Sequence, residues 1–163
     1  MTEQVKSQSE VINLAYIKYI GENMTNKEIL DIAMRQSAYD INAKVSDFLM
    51  NTNVFVKSEI GLSARKYYKE PIACNLVSYG NNIVASVKDE YREIVETYLN
   101  KFEFYHCFET PNLHWLDERM QEKGYRVCFM AEYFLPDVNV LKRRECNYRL
   151  KVLEQKDFAN LYL

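Results

Sequence analysis

The sequence predicts an α+β domain in which a mixed, mostly antiparallel sheet is flanked by helices on both faces. Strand-like runs rich in β-branched and aromatic residues, such as residues 82–87, alternate with segments of helical apolar spacing. The chain contains 13 Tyr and 8 Phe but only 4 Gly and 3 Pro, as expected for packed elements with few flexible loops. With 163 residues and 48% hydrophobic content, it is long enough for one domain with its own core.

The first part of the chain is predicted to be mainly helical. Residues 11–20 have a loose apolar face that favours a short helix. Thr25 and Glu28 have the spacing of a capping box, in which a hydroxyl and a carboxylate satisfy free N–H groups, so a second helix is expected to begin there. Residues 46–49 start a shorter helical piece, and residues 53–57 favour a strand because their Val and Phe side chains suit a pleated surface.

A hairpin and an amphipathic helix are predicted in the middle of the chain. Residues 71–78 and 82–87 are strand-like runs on either side of a turn in which Gly80 and Asn81 tolerate positive φ, so we expect them to pair antiparallel. Six apolar residues then recur at intervals of three and four and form one helical stripe: Tyr91, Ile94, Val95, Tyr98, Leu99 and Phe102. This helix is expected to pack on the sheet.

A strand, a helix and a long strand are expected next. Residues 102–108 are predicted to form a strand. Thr110 and Pro111 predict a helix start with a hydroxyl cap and a proline at the first helical position, and Gly124 predicts its end. Residues 125–135 then read as a long strand.

The end of the chain predicts the beginning of another folding unit. Residues 148–153 favour a strand, and a helix is expected to begin near Gln155. Such a segment starts a second core without completing it, so we expect Leu163 to lie inside a longer protein. The alternative is that the last helix folds back onto the first domain.

Charge and composition exclude several classes of function. The net charge is -2, with 21 basic and 23 acidic residues interleaved, so no basic face is available for nucleic acid. No apolar run reaches the length of a membrane span and the N-terminus has no signal-peptide pattern, so we expect a cytoplasmic protein without a membrane partner. The cysteines form no Cys-x-x-Cys pair and are expected to be free, buried thiols: Cys74, Cys107, Cys128 and Cys146.

The junction after residue 87 occupies a natural anion-binding position that the sequence closes. A helix start attracts phosphate through its free N–H groups and positive dipole, but Asp89, Glu90 and Glu93 already occupy the first turns. Ser86 and Asp89 also have capping-box spacing. Because no Gly-x-Gly occurs anywhere in the chain, dinucleotide-binding and P-loop sites are excluded as well. We therefore predict no pyrophosphate site.

The order of the elements and three short runs resemble the N-terminal half of bacterial two-part proteins of the GNAT acyltransferase superfamily. The runs are SYGNNIVAS (residues 78–86), FETPNL (residues 108–113) and FLPD (residues 134–137). A further run, YRLKVLEQKDF (residues 148–158), is similar to the opening strand and first helix of the second half. The resemblance implies a degenerate, GNAT-like first half followed by a second half that binds acetyl-CoA.

This resemblance implies three regions. Residues 1–24 are an N-terminal extension, residues 25–146 the degenerate GNAT-like domain and residues 147–163 the truncated start of the second half. The chain lacks the family's Gln/Arg-x-x-Gly-x-Gly/Ala loop, so acetyl-CoA is expected only in the second half and this segment alone is expected to be inactive. The implied partners are its own C-terminal half and a small-molecule or amine acceptor, with a homodimer as a further possibility.

The candidate substrate pocket lies where a predicted strand end meets a helix start, and its residues are Glu109, Asn112, His114 and Trp115. Open sheets often place ligands at such junctions. The alternative is structural: Trp115 covers the sheet edge, and Asn112 solvates the helix start.

We assign no catalytic or metal-binding residues. His106 and Cys107 would point to opposite faces of a strand, so they are poorly placed to bind one ion together. The apolar neighbours of Cys107 should raise the pKa of its thiol instead of activating it.

Two classes of function therefore stay open. The first is the non-catalytic part of an N-acetyltransferase, which supports or shapes the acceptor site. The second is a stand-alone interaction or dimerisation module that uses a sheet face or the strand predicted over residues 125–135.

Overall fold

The structure is a computed structural model that describes residues 24–66 and 69–141. Within these ranges the chain is an α+β protein with three α-helices, three strands and three 3₁₀ turns. The helices are α1 (Asn26–Asp40), α2 (Arg92–Lys101) and α3 (Thr110–Gln121); the strands are β1 (Val54–Lys57), β2 (Cys74–Ser78) and β3 (Ile83–Val87); the 3₁₀ turns span Val45–Leu49, Asp89–Tyr91 and Phe104–His106. The elements predicted over residues 11–20, over residues 148–153 and near Gln155 lie outside the described residues.

Contacts divide the described residues into two units. Residues 30–134 form the larger unit, and residues 24–29 and 135–141 belong to the smaller one. In the smaller unit, the predicted capping box is confirmed: the Thr25 amide donates to Glu28 Oε2 at 2.7 Å, and the Glu28 amide donates to Thr25 Oγ1 at 3.2 Å. The Thr25 amide bond and a second bond, from the Thr25 hydroxyl to Glu28 Oε2 at 2.9 Å, favour the carboxylate and lower the pKa of Glu28.

The larger unit contains a mixed sheet with the strand order β1-β3-β2. The predicted hairpin is confirmed, since β2 pairs antiparallel with β3 and Gly80 has a φ of 99° in the turn between them. β1 runs parallel to β3, with Val54 opposite Val84, so the sheet is mixed, as predicted, but its described strands are not mostly antiparallel. The three strands thus form one antiparallel and one parallel pair. All five residues of the central strand β3 are buried.

Helices cover both faces of this sheet, as the sequence predicts. Ile83, Ala85 and Val87 point to one face, whereas Val84 points to the other. The first face packs against α2, the 3₁₀ turn before it and α3, through Tyr91, Val95, Tyr98, Leu99, Leu116 and Met120. The second packs against α1 and the following turn through Met34, Ala38, Ile41 and Phe48.

The prediction of a strand over residues 102–108 is wrong, because this segment is a tight connection between α2 and α3. It contains the 3₁₀ turn Phe104–His106, in which the Cys107 amide donates to the Phe104 carbonyl at 3.3 Å. The buried hydroxyl of Tyr98 in α2 donates to the Cys107 carbonyl. The turn therefore uses the backbone groups of Cys107 that a strand would present to a neighbour.

The strand predicted over residues 125–135 is also wrong. Within the part of the chain that the structure describes, residues 125–137 form no helix, strand or turn, and residues 125–136 are exposed. The segment has the composition of a strand but, among the described residues, no strand to pair with. The segment starts at the end of α3, where the Tyr125 amide donates to the Met120 carbonyl at 2.9 Å and the Gly124 amide donates to the Gln121 carbonyl at 2.9 Å. These bonds form the Schellman motif that the glycine predicts, with Gly124 at a φ of 79°.

The start of α3 differs in detail from the prediction. Thr110 is the first helical residue, Glu109 is the N-cap and makes no side-chain capping bond, and Pro111 lies in the first turn as expected. Cys74 and Cys107 are partly and fully buried, but Cys128 is exposed, contrary to the expectation of buried thiols; all three are free. Among the described residues, no helix combines the length and the apolar content that a membrane crossing requires.

Candidate functional site

The junction between β3 and α2 is the helix start that the sequence predicts to be closed to anions, and three of its amides are bonded within the protein. The Lys88 amide donates to the Ala73 carbonyl at 3.1 Å, which extends the hairpin by one bond. The Tyr91 amide donates to the Lys88 carbonyl at 3.0 Å, and the Arg92 amide donates to the Asp89 carbonyl. Since phosphate recognition at a helix start depends on unbonded N–H groups, this start offers few of them.

The charge at this junction also opposes an anion. Asp89 and Glu90 lie in the 3₁₀ turn that leads into α2, both side chains are exposed, and Glu93 follows in the first turn of the helix. The Arg92 guanidinium, the nearest cation in the helix, is bound to Glu96 Oε1 at 2.7 Å. A phosphate here would meet carboxylates without a free guanidinium to offset them.

The capping box predicted from Ser86 and Asp89 does not form. Ser86 lies inside β3 with 2% of its surface exposed, so its side chain belongs to the sheet. The N-cap of the 3₁₀ turn is Lys88, which makes no side-chain capping bond. The strand continues to Val87, so the N-cap lies two residues later than the capping-box spacing requires, and carboxylate charge and three backbone bonds oppose an anion there.

Two residues of the candidate substrate pocket, Glu109 and Asn112, lie together around His106. Glu109 Oε1 is 2.7 Å from His106 Nδ1, and Asn112 Nδ2 donates to the His106 carbonyl at 2.9 Å. Both side chains therefore hold the 3₁₀ turn against the start of α3. The His106 and Glu109 side chains are 48% and 54% exposed, so this cluster is a surface feature.

Trp115 points away from that cluster and toward α2. Its ring stacks on Tyr98 with centroids 6.0 Å apart and an interplanar angle of 17°, and it meets Phe102 edge-on at 6.4 Å. The Arg119 guanidinium lies 4.2 Å from the centroid of the indole ring and covers its outer side. His114 is exposed. Of the four predicted residues, the structure thus groups Glu109 with Asn112 and gives Trp115 a packing role.

Cys107 is a buried thiol, as the sequence predicts. Its side chain is 0% exposed, and its Sγ lies 3.5 Å from the Glu103 carbonyl. Burial, with a smaller effect of Glu103, raises the pKa of the Cys107 thiol to about 11. The prediction that His106 and Cys107 point to opposite faces of a strand is wrong, since His106 lies in a 3₁₀ turn and Cys107 directly follows it. In residues 24–66 and 69–141, no three His, Cys, Asp or Glu side chains converge in a way suited to a metal ion.

A shallow, open pocket lies at a place that the sequence does not indicate. It is lined by residues from the end of α1, the segment after β1, the segment before β2 and the sheet: Asp40, Ser58, Glu59, Ile60, Glu70, Pro71, Ile72, Asn75 and Ser86. Its three carboxylates are far apart in the sequence, so no local motif could reveal them. The buried Asp40 is bound by Arg65, and Ser58 Oγ donates to the Ile72 carbonyl at 2.6 Å, so both groups already have structural partners.

No protein-family model, curated protein or solved structure matches this chain.

Proposed function

We propose that this chain is the N-terminal, non-catalytic half of a bacterial, GNAT-type N-acetyltransferase. In this role it supports or shapes the acceptor site of a C-terminal half that binds acetyl-CoA. The short runs at residues 78–86, 108–113 and 134–137 support the proposal through their resemblance to such first halves. The α+β architecture, with a mixed sheet between helices, is compatible with it, although the 3₁₀ turn Phe104–His106 stands where that resemblance implies a strand.

The observation that carries the non-catalytic role is the β3–α2 junction. Lys88, Tyr91 and Arg92 use their amides within the protein, and Asp89 and Glu90 add negative charge where a pyrophosphate would lie. A diphosphate at this helix start would lack those three amides and would meet the repulsion of the carboxylates. A domain built in this way can contribute surface and support, while the acyl transfer occurs elsewhere.

Thermal unfolding in the presence of acetyl-CoA tests this assignment. A ligand at 100 times its Kd stabilises a protein by about 2.7 kcal/mol, which is a shift of several degrees for a domain of this size. We expect no saturable shift of the melting temperature for this chain. The double variant Asp89→Asn with Glu90→Gln is the matched control, and it should also fail to bind because the amides of Lys88, Tyr91 and Arg92 stay bonded. A saturable shift in the unmodified chain would overturn the proposal, whereas a shift only in the variant would show that charge alone closes the site.

The reading frame downstream of Leu163 gives a second test. A Gln/Arg-x-x-Gly-x-Gly/Ala loop is expected there, because the proposed role requires a coenzyme-binding half. In the full-length protein, Glu109→Gln and Asn112→Ala should raise the KM for the acceptor and leave the KM for acetyl-CoA unchanged if these residues face the acceptor. If variant and native protein have equal KM values for the acceptor, Glu109 and Asn112 do not contact the acceptor.

One observation favours the alternative of a stand-alone interaction module. Phe129, Tyr133 and Phe134 are 71%, 77% and 88% exposed. Contiguous exposed apolar side chains on a soluble protein often mark a surface that another molecule covers. A stop codon directly after Leu163 would select this alternative over the acetyltransferase half.

A further inference from the structure

The segment that follows α3 is bonded toward α3 at its start, and the described residues provide no backbone partner for its other edge. The Tyr125 amide donates to the Met120 carbonyl at 2.9 Å, and the Val127 amide donates to Asp117 Oδ1 at 2.7 Å. The Val127 bond is the main reason that the pKa of Asp117 is lowered. Two alternate amides of the segment are therefore fixed toward α3.

Successive N–H and C=O groups alternate in direction along an extended chain. If the segment extends from these two bonds, the groups of Arg126, Cys128, Met130 and Glu132 are directed away from α3. Within the described part of the chain, no backbone hydrogen bond joins residues 128–136 to another element. An unpaired edge of this kind is a template for pairing with a further strand.

The side chains of the same residues divide into an apolar side and a mixed side. Tyr125, Val127, Phe129, Ala131 and Tyr133 share one side by the period of two. The opposite side carries the only two charges of the segment, Arg126 and Glu132, with Cys128 and Met130 between them.

We infer that residues 125–133 pair antiparallel with the same residues of a second copy of this chain, around a two-fold axis at Phe129. In this register Arg126 lies opposite Glu132 of the second copy, and the symmetry forms the same pair twice. Tyr125 then lies opposite Tyr133 of the second copy, and the hydrogen-bonded pairs use the backbone groups that face away from α3. Opposite charges and aromatic rings placed directly across a strand pair both stabilise it.

Charge complementarity selects this register over its neighbours. A shift that moves the axis to Met130 places Arg126 opposite Phe134, and a shift to Cys128 places it opposite Met130. Both alternatives leave Arg126 and Glu132 without a charged partner across the pair. A two-fold pairing of one surface with itself is also the most frequent form of homodimer. This inference rests on the segment alone and is independent of the proposed acetyltransferase role.

Charge reversal tests the pairing by sedimentation velocity. The native chain is expected to dimerise, and Arg126→Glu or Glu132→Arg alone should each raise the dimer Kd roughly tenfold or more, because each places like charges opposite one another twice. The double variant Arg126→Glu with Glu132→Arg restores both pairs and should return the Kd to within about threefold of the native value. Lys123→Glu, an exposed reversal just outside the segment, is the control and should leave the Kd unchanged.

A disulfide test defines the register. In a Cys128→Ser background, Phe129→Cys places two thiols across a non-hydrogen-bonded pair, where Cα atoms about 4.5 Å apart allow a disulfide. Mild oxidation should give a covalent dimer in which mass spectrometry finds position 129 joined to position 129. Met130→Cys in the same background should cross-link at least tenfold more slowly, because its copies do not face each other in this register.

Three results would overturn the inference. The first is a native chain that stays monomeric at about 100 μM, well above the Kd of a stable dimer. The second is a double charge variant as weak as either single variant. The third is a Met130→Cys variant that cross-links as fast as Phe129→Cys.

Discussion

The carboxylate of Asp40 is bound from two sides by Arg65, a residue 25 positions away. Asp40 Oδ2 lies 2.5 Å from both Nε and Nη2 of Arg65, while Oδ1 accepts the Arg65 amide at 2.9 Å. Gln36 Nε2 also donates to Oδ1, at 3.0 Å. The Asp40 side chain is 2% exposed, so its charge is tolerated only because of these donors. The contact holds the end of α1 against the segment after β1.

Replacing Arg65 by alanine should destabilise the protein, because it leaves a buried carboxylate with fewer charged donors. The full cost of breaking a buried pair is about 3–5 kcal/mol, but the Arg65 side chain is 47% exposed and two neutral donors stay in place. We therefore expect the free energy of unfolding in urea to fall by about 1–3 kcal/mol. Arg35 is an exposed arginine of α1, the helix that contains Asp40. Arg35→Ala should change the free energy of unfolding by less than about 0.5 kcal/mol. Equal effects of the two variants would contradict the role given to the pair.

Asn82 connects the hairpin to the segment before β1, and its removal should be costly. Its Nδ2 donates to the carbonyls of Asp47 and Thr52, each at 2.8 Å, and the residue is 1% exposed. Asn82→Ala leaves the carbonyls of Asp47 and Thr52 without this donor and should lower the free energy of unfolding by about 2–3 kcal/mol. Asn82→Asp should be worse, since an acceptor would then face two acceptors.

The exposed neighbour Asn81 provides the control for this prediction. It lies in the same turn, so Asn81→Ala tests the loss of an asparagine without the loss of the two buried bonds. We expect an effect below about 0.5 kcal/mol in the same urea titration. If Asn82→Asp is as stable as the native chain, the orientation of the Asn82 amide is wrong.

The hydroxyl of Tyr98 should contribute stability beyond the packing of its ring. It is fully buried and donates to the Cys107 carbonyl, which joins α2 to the connection before α3. Tyr98→Phe keeps the ring and removes only the donor, so we expect a loss of about 1–2 kcal/mol in thermal or urea unfolding. Tyr105→Phe is the matched control because Tyr105 is 60% exposed, and it should be close to neutral. A neutral Tyr98→Phe would show that water or another donor replaces the bond.

The three described cysteines should differ strongly in their reactivity toward iodoacetamide at pH 8. Burial raises the pKa of the Cys74 thiol to about 12 and that of the Cys107 thiol to about 11, whereas Cys128 is exposed. Because the thiolate is the reacting species, Cys128 should be alkylated at least tenfold faster than the other two, as measured by mass spectrometry of tryptic peptides. Rapid labelling of Cys107 in the folded protein would contradict its burial.

The same two thiols predict a loss of stability at alkaline pH. A free thiol has a pKa of about 8.5, so the folded state holds these protons more tightly than the unfolded state does. Their contribution to stability is complete below about pH 8.5 and decreases as the pH rises toward 11 and 12. We expect the urea midpoint to fall between pH 8 and 10.5, and the fall to be smaller in Cys107→Ala relative to its own value at pH 7. A midpoint that stays constant over this range would refute the prediction.

Local sequence signals predict the elements whose hydrogen bonds close within a few residues. The capping box of Thr25 and Glu28, the hairpin turn at Gly80 and the end of α3 at Gly124 are all confirmed. In each case a side chain or a permissive glycine determines the backbone conformation directly. The apolar stripe of α2 likewise predicts which of its residues face the sheet.

The remaining features of the fold and of the candidate site depend on contacts between residues far apart in the sequence. The parallel pairing of Val54 with Val84 depends on a strand that comes 30 residues later in the sequence, which no turn signal encodes. Residues 102–108 are predicted to form a strand, but Tyr98 and Asn112 bind the backbone of Cys107 and His106 and form a turn instead. The predicted pocket residues do not group together for the same reason: Trp115 packs on Tyr98, whereas Glu109 and Asn112 bind His106.

By itself, the sequence determined the α+β class, the positions of the described helices and of the hairpin, and the acidic helix start after β3. Only the tertiary structure decided that β1 joins β3 in parallel, that Asp40 is buried against Arg65, and that residues 125–137 form no strand within the described chain. The physical reason is the range of the interactions. Caps, turns and helical stripes are set by neighbours a few residues apart, whereas strand pairing and buried charges depend on which distant groups the fold brings within hydrogen-bonding distance.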